Sequence, residues 1–360
     1  MSRYSRRSFV KLSGAIITTA LLAACGEGTE PQSVLEPTSA SGTTPPESKP
    51  VLDDSDPAKN GPFIIATTSI MGDLVKGIVG DRARLEVLMP SKTDPHLFEM
   101  SARQIAMLSE ADLVVTNGLL LEEGIAPTLK QAKQDGVNVV SVGEFVDPLV
   151  AADAHDDHDK EEKHDDHDDH GEEEKHDDHA GHAHGEHDPH YWLDPRRMAK
   201  AAHYVGEQLV LVTKDSSWKA SAEDYEKALL LLDSEIKQEL SVIEPANRKI
   251  VSNHDSMRYF ADRYEFEVLG TVIPGISTHT SPSSSSVAGL VSLIKANSIE
   301  AIFADMTEDT SIAESVVQEV GEQVKIVKLY IGSLGDQASD ADTLEGLYRS
   351  NAKLIVAALR

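Results

Sequence analysis

The chain has 360 residues, long enough for two ordinary domains, and its hydrophobic content of 40% is sufficient for buried cores. The formal net charge of −28 argues against nucleic acid and anionic membrane surfaces as partners, because both attract positively charged proteins. The same charge is compatible with a cationic ligand.

The first 24 residues have the pattern of an export signal. Arg3, Arg6, Arg7 and Lys11 form a positive region, and the run that follows them, 12–24, carries no charge. This run is shorter than the roughly 20 residues that a membrane-spanning helix needs. The segment 5–11, Ser-Arg-Arg-Ser-Phe-Val-Lys, resembles a twin-arginine signal. An ordinary secretion signal with a chance arginine pair is the alternative.

Residues 22–25, Leu-Ala-Ala-Cys, resemble a bacterial lipobox, and Cys25 is the only cysteine. A disulfide within the chain and a thiolate metal site in the mature fold are therefore excluded. We predict that Cys25 is lipidated and holds the protein at the outer face of a membrane. The alternative is a spare cysteine in a discarded peptide. Residues 25–60, rich in Pro, Ser, Thr, Glu and Gly, are predicted to form a flexible tether.

After residue 60, apolar strand patterns alternate with amphipathic helix patterns. The first set has predicted strands at 63–67, 84–89, 113–116 and 137–142, and helices at 71–79, 101–109 (capped by Ser101) and 122–134. The second set has predicted strands at 249–252, 267–272, 301–304 and 324–328, and helices at 255–264, 283–296, 311–320 and 342–359. This alternation predicts an α/β fold with two lobes, each a parallel sheet flanked by helices.

The segment between the two sets is helical in character, with apolar residues at three- and four-residue spacing: Tyr225, Leu229, Leu232, Ile236 and Leu240. One helix over 219–242 would be roughly 36 Å long at about 1.5 Å per residue. We therefore expect a long, rigid helix to join the lobes. The predicted division is an N-terminal lobe at 61–194, a helical linker at 195–245 and a C-terminal lobe at 246–360.

A histidine-rich acidic segment interrupts the first lobe. Residues 151–190 hold 11 of the 15 histidines, 17 acidic residues and three lysines, which gives a formal charge of −14. Such a composition cannot bury a core, so we predict a disordered loop at 151–187. Its histidine spacing suits low-affinity zinc binding, and the alternative is a solvated acidic linker. The predicted auxiliary ligands are His164, His167, His170, His176, His179, His182, His184 and His187.

Candidate ligands for a tighter site follow the predicted strands. His96 ends the tripeptide Asp-Pro-His a few residues after strand 84–89, His254 follows strand 249–252, and Asp305 follows strand 301–304. Ligands of open α/β sheets bind outside the carboxyl ends of strands, so these positions predict one site between the lobes. His190 ends the second Asp-Pro-His tripeptide. Proline before His96 and His190 restricts the backbone, which helps to hold each imidazole in place.

These segments resemble a known family, the zinc and manganese receptors of bacterial ABC importers, also called cluster A-I solute-binding proteins. The resemblance covers nearly everything after residue 60 and is carried by Gly80-Asp81, Asp94-Pro95-His96, segment 111–118 (Ala-Asp-Leu-Val-Val-Thr-Asn-Gly), segment 188–195 (Asp-Pro-His-Tyr-Trp-Leu-Asp-Pro), Asn253-His254-Asp255, Tyr259-Phe260-Ala261 and Ile302-Phe303-Ala304-Asp305. It implies two lobes joined by a long helix and a metal held by His96, His190, His254 and Asp305.

The third ligand position of that family is histidine in zinc receptors and glutamate in manganese receptors, and this chain has His254. Three neutral imidazoles and one oxygen also suit Zn²⁺, whereas manganese favours more oxygen ligands. The family often has glutamate where this chain has the shorter Asp305. Water in the fourth position, with Asp305 as a helix cap or an acceptor for an imidazole N–H, is therefore the alternative.

The resemblance implies an extracytoplasmic, lipid-anchored, monomeric receptor that delivers Zn²⁺ to an ABC permease and is not an enzyme. A manganese or iron receptor is the nearest alternative. A zinc hydrolase also uses three histidines with an open fourth position, but no His-Glu-x-x-His segment is present. An adhesin or zinc store at the cell surface is a third possibility.

Overall fold

The computed structural model describes residues 61–151, 186–321 and 323–360. The predictions for the export signal, Cys25, the tether and every auxiliary histidine except His187 fall outside these residues. Across the ranges that are described, none of the helices has the length and apolar character needed to cross a bilayer.

The first lobe is built on a parallel sheet of four strands in the order β2-β1-β3-β4. Its strands are β1 (Phe63–Ala66), β2 (Arg84–Val87), β3 (Leu113–Thr116) and β4 (Val139–Ser141). Its helices are α1 (Ser69–Val79), α2 (Ala102–Leu108) and α3 (Ala126–Gln134). The central strands β1 and β3 are wholly buried and mainly apolar, as expected for a parallel sheet covered on both faces.

The second lobe repeats this plan with a parallel sheet in the order β6-β5-β7-β8. Its strands are β5 (Lys249–Ser252), β6 (Glu267–Thr271), β7 (Ala301–Asp305) and β8 (Lys325–Leu329). Its helices, numbered after the linker helices α4 and α5, are α6 (Arg258–Tyr264), α7 (Ser284–Asn297), α8 (Ser311–Val320) and α9 (Leu344–Leu359). The predicted α/β fold with two parallel sheets flanked by helices is confirmed.

Local capping explains several helix starts. Ser101 and Gln104 form a reciprocal capping box at α2, as the sequence predicted for Ser101. The hydroxyl of Ser283 likewise accepts a hydrogen bond from the first turn of α7. The predicted helix at 122–134 is wrong in its first residues, because a 3-10 turn at Glu123–Ile125 comes before α3. Pro127 fits the first turn of α3 because it has no N–H to donate.

The linker is a helical hairpin of α4 (Pro195–Thr213) and α5 (Ser217–Leu240), which pack closely on each other. The predicted long helix at 219–242 is confirmed as α5, shifted by two residues. Helix α5 contacts α1 of the first lobe and α9 of the second. One buried apolar cluster includes residues of both sheets, α4, α5 and α9, so the linker is part of the core that the two lobes share.

A buried charge cluster fastens the linker to the second lobe. Asp233 of α5 is 1% exposed and accepts hydrogen bonds from Arg263 of α6 (2.7 Å) and from Arg196 of α4 (3.0 Å). The Tyr264 hydroxyl lies 3.4 Å from the same carboxylate. Burial would raise the pKa of Asp233, but the hydrogen bonds and charges of the two arginines outweigh it and lower the pKa.

Asp233→Asn is expected to lower the free energy of unfolding by about 3 kcal/mol, because it leaves the largely buried Arg263 guanidinium beside a neutral group. Glu235→Gln on the same helix is the control, since Glu235 pairs with Arg349 at a half-exposed site and should cost less than about 1 kcal/mol. Urea denaturation of both variants measures the difference. Equal losses would show that the Asp233 cluster behaves like an ordinary surface ion pair.

Candidate metal centre

Three histidines from both lobes meet in one buried group. The Nε2 atom of His190 lies 3.4 Å from Nε2 of His96 and 3.2 Å from Nε2 of His254. The three side chains offer ligand atoms that all lie within 4.8 Å of one another, and the residues are only 1–3% exposed. Of the residues predicted at strand ends, the structure brings His96 and His254 together, with His190 of the second Asp-Pro-His tripeptide beside them. Their role as metal ligands stays a prediction.

The two Asp-Pro-His tripeptides fold in the same way. Asp94 Oδ1 accepts a hydrogen bond from the backbone N–H of His96 at 2.9 Å, and Asp188 Oδ1 accepts one from that of His190 at 2.9 Å. Each is a turn closed by an aspartate onto the residue two positions later, a local bond that Asp readily forms. Both His96 and His190 therefore enter the site from a turn of the same kind.

Carboxylates contact the outer ring nitrogens of His190 and His254, whereas His96 Nδ1 has no hydrogen-bond partner among the described residues. His190 Nδ1 lies 2.8 Å from Asp188 Oδ1, and His254 Nδ1 contacts Glu308 Oε1. His96 Nδ1 is 3.9 Å from Glu123 Oε1. A carboxylate at Nδ1 favours the tautomer with its proton there, which leaves the Nε2 lone pair free to bind an ion at the centre.

Burial and the neighbouring charges set the protonation of the three rings. Burial lowers the pKa of His96 and of His190 well below the ordinary value, and the nearby histidines lower it further. Burial also acts to lower the pKa of His254, but the hydrogen bond and charge of Glu308 outweigh it and raise this pKa.

Asp305 ends β7 and is 2% exposed, but it is not one of the residues in the three-histidine group. Its carboxylate accepts hydrogen bonds from the backbone N–H groups of Thr307 (3.1 Å) and Gly332. Burial, with the charge of Glu308, raises the pKa of Asp305 to about 6. A Cβ at Gly332 would lie 2.7 Å from Asp305 Oδ2, so glycine permits this close approach. Direct coordination by Asp305 stays a prediction.

The remaining histidines of the described ranges lie elsewhere. His187 pairs with Val150 through a single antiparallel bridge. His203 is exposed on α4, 3.5 Å from the carboxylates of Glu207 and Glu226. His279 Nε2 lies 3.1 Å from the backbone carbonyl of His96, so it contacts the site's backbone and not its ring nitrogens.

No local sequence pattern distinguishes Glu308 or Glu123 from other loop glutamates. Glu308 lies three residues beyond β7, and Asn253 also donates a hydrogen bond to its carboxylate. A glutamate in such a loop is common, and only the folded contact with His254 distinguishes it. Asp188 lies in the second Asp-Pro-His motif, but the motif alone does not predict its contact with the His190 ring.

The chain is similar in sequence to known metal-binding proteins. A sequence model of the ZnuA family, described as the periplasmic component A of a zinc-uptake complex, matches residues 64–358. The manganese-binding lipoprotein MntA of Halalkalibacterium halodurans is 25% identical over 300 residues, which cover 82% of this chain and 88% of the relative. The zinc-binding protein TroA of Treponema pallidum is 26% identical over 311 residues, which cover 84% and 91%.

Solved structures share the two-lobe fold. The periplasmic zinc-binding protein TroA from Treponema pallidum superposes with a TM-score of 0.68 at 24% identity, covering 83% of this chain and 99% of that chain. A Mn-bound periplasmic metal-binding protein from Candidatus Liberibacter asiaticus gives a TM-score of 0.66 at 20% identity, covering 83% and 100%. The similar proteins thus include some named for zinc and some for manganese.

Glu308→Gln is expected to lower the pKa of His254 in the metal-free protein, because the negative charge that opposes the effect of burial is removed. NMR titration of the imidazole carbon signals measures this pKa. Glu207→Gln, beside the exposed His203, is the control and should leave the pKa of His254 in place. An unchanged His254 pKa in Glu308→Gln would contradict the assigned contact.

Proposed function

The chain belongs to the ZnuA family of periplasmic zinc-uptake components, and from this premise we propose that it captures Zn²⁺ between its two lobes and delivers it to an ABC permease. At the coarser level it is a metal-binding receptor of an ABC-type importer and not an enzyme. The choice of zinc, and the assignment of His96, His190 and His254 as its ligands, are our proposals.

The group of three imidazole nitrogens is the observation that supports zinc as the bound metal. Zn²⁺ accepts tetrahedral sites with nitrogen ligands, whereas Mn²⁺ favours carboxylate, carbonyl and water oxygens in higher coordination. The fourth position is filled by water or by Asp305, which lies outside the group of atoms within 4.8 Å of one another. Because relatives of similar identity are named for manganese, a manganese receptor remains the competing candidate.

The proposed cellular setting follows from the N-terminus and from the family. Lipidation at Cys25 would anchor the receptor outside the cytoplasmic membrane, with residues 25–60 as its tether. Relatives such as the streptococcal SsaB are named as substrate-binding lipoproteins of metal ABC transporters, which supports both the anchor and the permease. We propose that the receptor acts as a monomer.

We also propose that the histidine-rich acidic segment binds additional zinc weakly. Its described ends are close together, since Ala151 donates a hydrogen bond to the Glu186 carbonyl and Asp188 donates one to the Leu149 carbonyl. Asp188 in turn contacts the ring of His190. The segment thus leaves and rejoins the fold beside the proposed site, where zinc that it collects would be close to the three histidines.

Replacing the nine histidines between residues 152 and 185 by glutamine keeps the length and acidity of this segment. Calorimetric titration with Zn²⁺ is expected to show one tight site in this variant and the loss of the weaker ones. The imidazoles supply the ligands of the weak sites, and carboxylates alone bind Zn²⁺ less well. Loss of the tight site, or no change in the weak ones, would contradict the separate roles proposed.

Competition between Zn²⁺ and Mn²⁺ tests the proposed function itself. The wild-type protein is expected to prefer Zn²⁺, and His254→Ala should weaken zinc affinity by more than about 100-fold, beyond what loss of an outer partner typically causes. His203→Ala is the matched control, because His203 is an exposed histidine on α4 and should leave the affinity unchanged. A preference for Mn²⁺, or tight Zn²⁺ binding by His254→Ala, would reject the proposal.

A further inference from the structure

The two Asp-Pro-His turns belong to the first lobe, yet each one accepts a hydrogen bond from a hydroxyl of the second lobe. Thr278, in the loop between β6 and α7, bonds to the first turn, and Tyr259 of α6 bonds to the second. His96 and His190 are therefore each held in place by residues of the lobe that carries His254.

At the first turn, Thr278 Oγ1 donates a hydrogen bond to Asp94 Oδ2 at 2.9 Å. The other oxygen of Asp94 accepts the backbone N–H of His96, so the aspartate links the second-lobe loop to the histidine. His279 adds a contact between its Nε2 and the His96 carbonyl at 3.1 Å. The loop thus contacts the His96 carbonyl directly, through His279, and the His96 N–H indirectly, through Asp94.

At the second turn, the Tyr259 hydroxyl donates to the Asp188 carbonyl at 2.6 Å and accepts from the Leu149 N–H at 2.9 Å. Tyr259 is fully buried, and the Arg197 guanidinium lies 4.7 Å from its ring centroid. Asp188 carries the carboxylate that contacts both the backbone and the ring of His190. The second lobe therefore bonds to the backbone of Asp188, alongside the first-lobe hydrogen bond from the Asp188 N–H to the Leu149 carbonyl.

We propose that Thr278 and Tyr259 are positioning residues that hold His96 and His190 in their metal-binding geometry only while the two lobes are together. This inference rests on the proposed metal site. A site whose ligands are fixed in advance binds more tightly than one that must order them, so separation of the lobes would loosen two of the three imidazoles at once. The open form then has the lower affinity, which is what release to a permease requires.

The test compares two isosteric variants with two matched controls. Thr278→Val and Tyr259→Phe remove only the inter-lobe hydroxyls. Thr280→Val removes a hydroxyl of the same loop that bonds within the second lobe, to the Pro274 carbonyl. Tyr264→Phe removes a hydroxyl of the same helix, which lies near Asp233. We measure two quantities for the wild type and the four variants. These are the rate of Zn²⁺ loss to an excess of chromophoric chelator and the thermal unfolding midpoint.

We expect Thr278→Val and Tyr259→Phe each to release Zn²⁺ about tenfold faster, the lower end of the effect of outer-shell partners. The controls should stay within about twofold of wild type, because neither the Thr280 nor the Tyr264 hydroxyl bonds to a histidine turn. Thr278→Ser keeps the hydroxyl and should restore the wild-type rate. Equal rates in variants and controls, or rates that follow the unfolding midpoint across all four, would overturn the inference.

His190→Ala, measured in the same assay, separates this inference from the proposed function. Tight Zn²⁺ retention by His190→Ala would reject the metal site itself. Loss of tight binding in His190→Ala, together with wild-type release from Thr278→Val and Tyr259→Phe, would reject only the positioning role. If the wild-type protein prefers Mn²⁺, the release assay of these variants is repeated with Mn²⁺. The same outcomes then support or reject the positioning role.

Discussion

The site depends on carboxylates that fix the orientation of buried imidazoles. Asp188 and Glu308 contact the Nδ1 atoms of His190 and His254, and Glu123 lies farther from that of His96. A buried imidazole whose N–H has no partner is costly, so Asp188 and Glu308 both stabilise their rings and turn the Nε2 atoms inward. The Nε2 atom of His190 lies within 3.4 Å of the Nε2 atoms of His96 and His254. Without this orientation, the three rings would be only a cluster of polar groups in the core.

The fold explains how two lobes can share such a site. Both sheets bring their strand ends toward the same place, and one buried apolar cluster continues through α4 and α5 into each lobe. The Asp233 cluster adds a polar connection between the hairpin and α6. Because close-packed cores resist gradual deformation, we infer that metal binding is accompanied by small displacements and not by wide hinge closure. A small separation of the lobes is enough to break the hydrogen bonds that the Thr278 and Tyr259 hydroxyls make to the first lobe.

Much of the fold could be predicted from the sequence, because its strands are short apolar runs and its helices have ordinary caps. Strands 113–116 and 249–252 and helix 311–320 coincide with their predicted bounds. The Asp-Pro-His motifs also selected His96 and His190. Glu308, Thr278 and Tyr259 could not be found in this way. Each contacts a residue that is 54 or more positions away in the chain, and no local sequence pattern determines the path of the loops between them. The geometry of Asp305 depends similarly on the remote Gly332.

The three-histidine zinc site can be tested by X-ray absorption at the zinc edge, with an anomalous map from crystals of the zinc-loaded protein. We predict one ordered ion bound by three nitrogens at about 2.0–2.1 Å, contributed by His96, His190 and His254, with a single oxygen completing a tetrahedron. An ion in the cleft bound mainly by oxygen atoms, or a tight ion located away from these three rings, would contradict it.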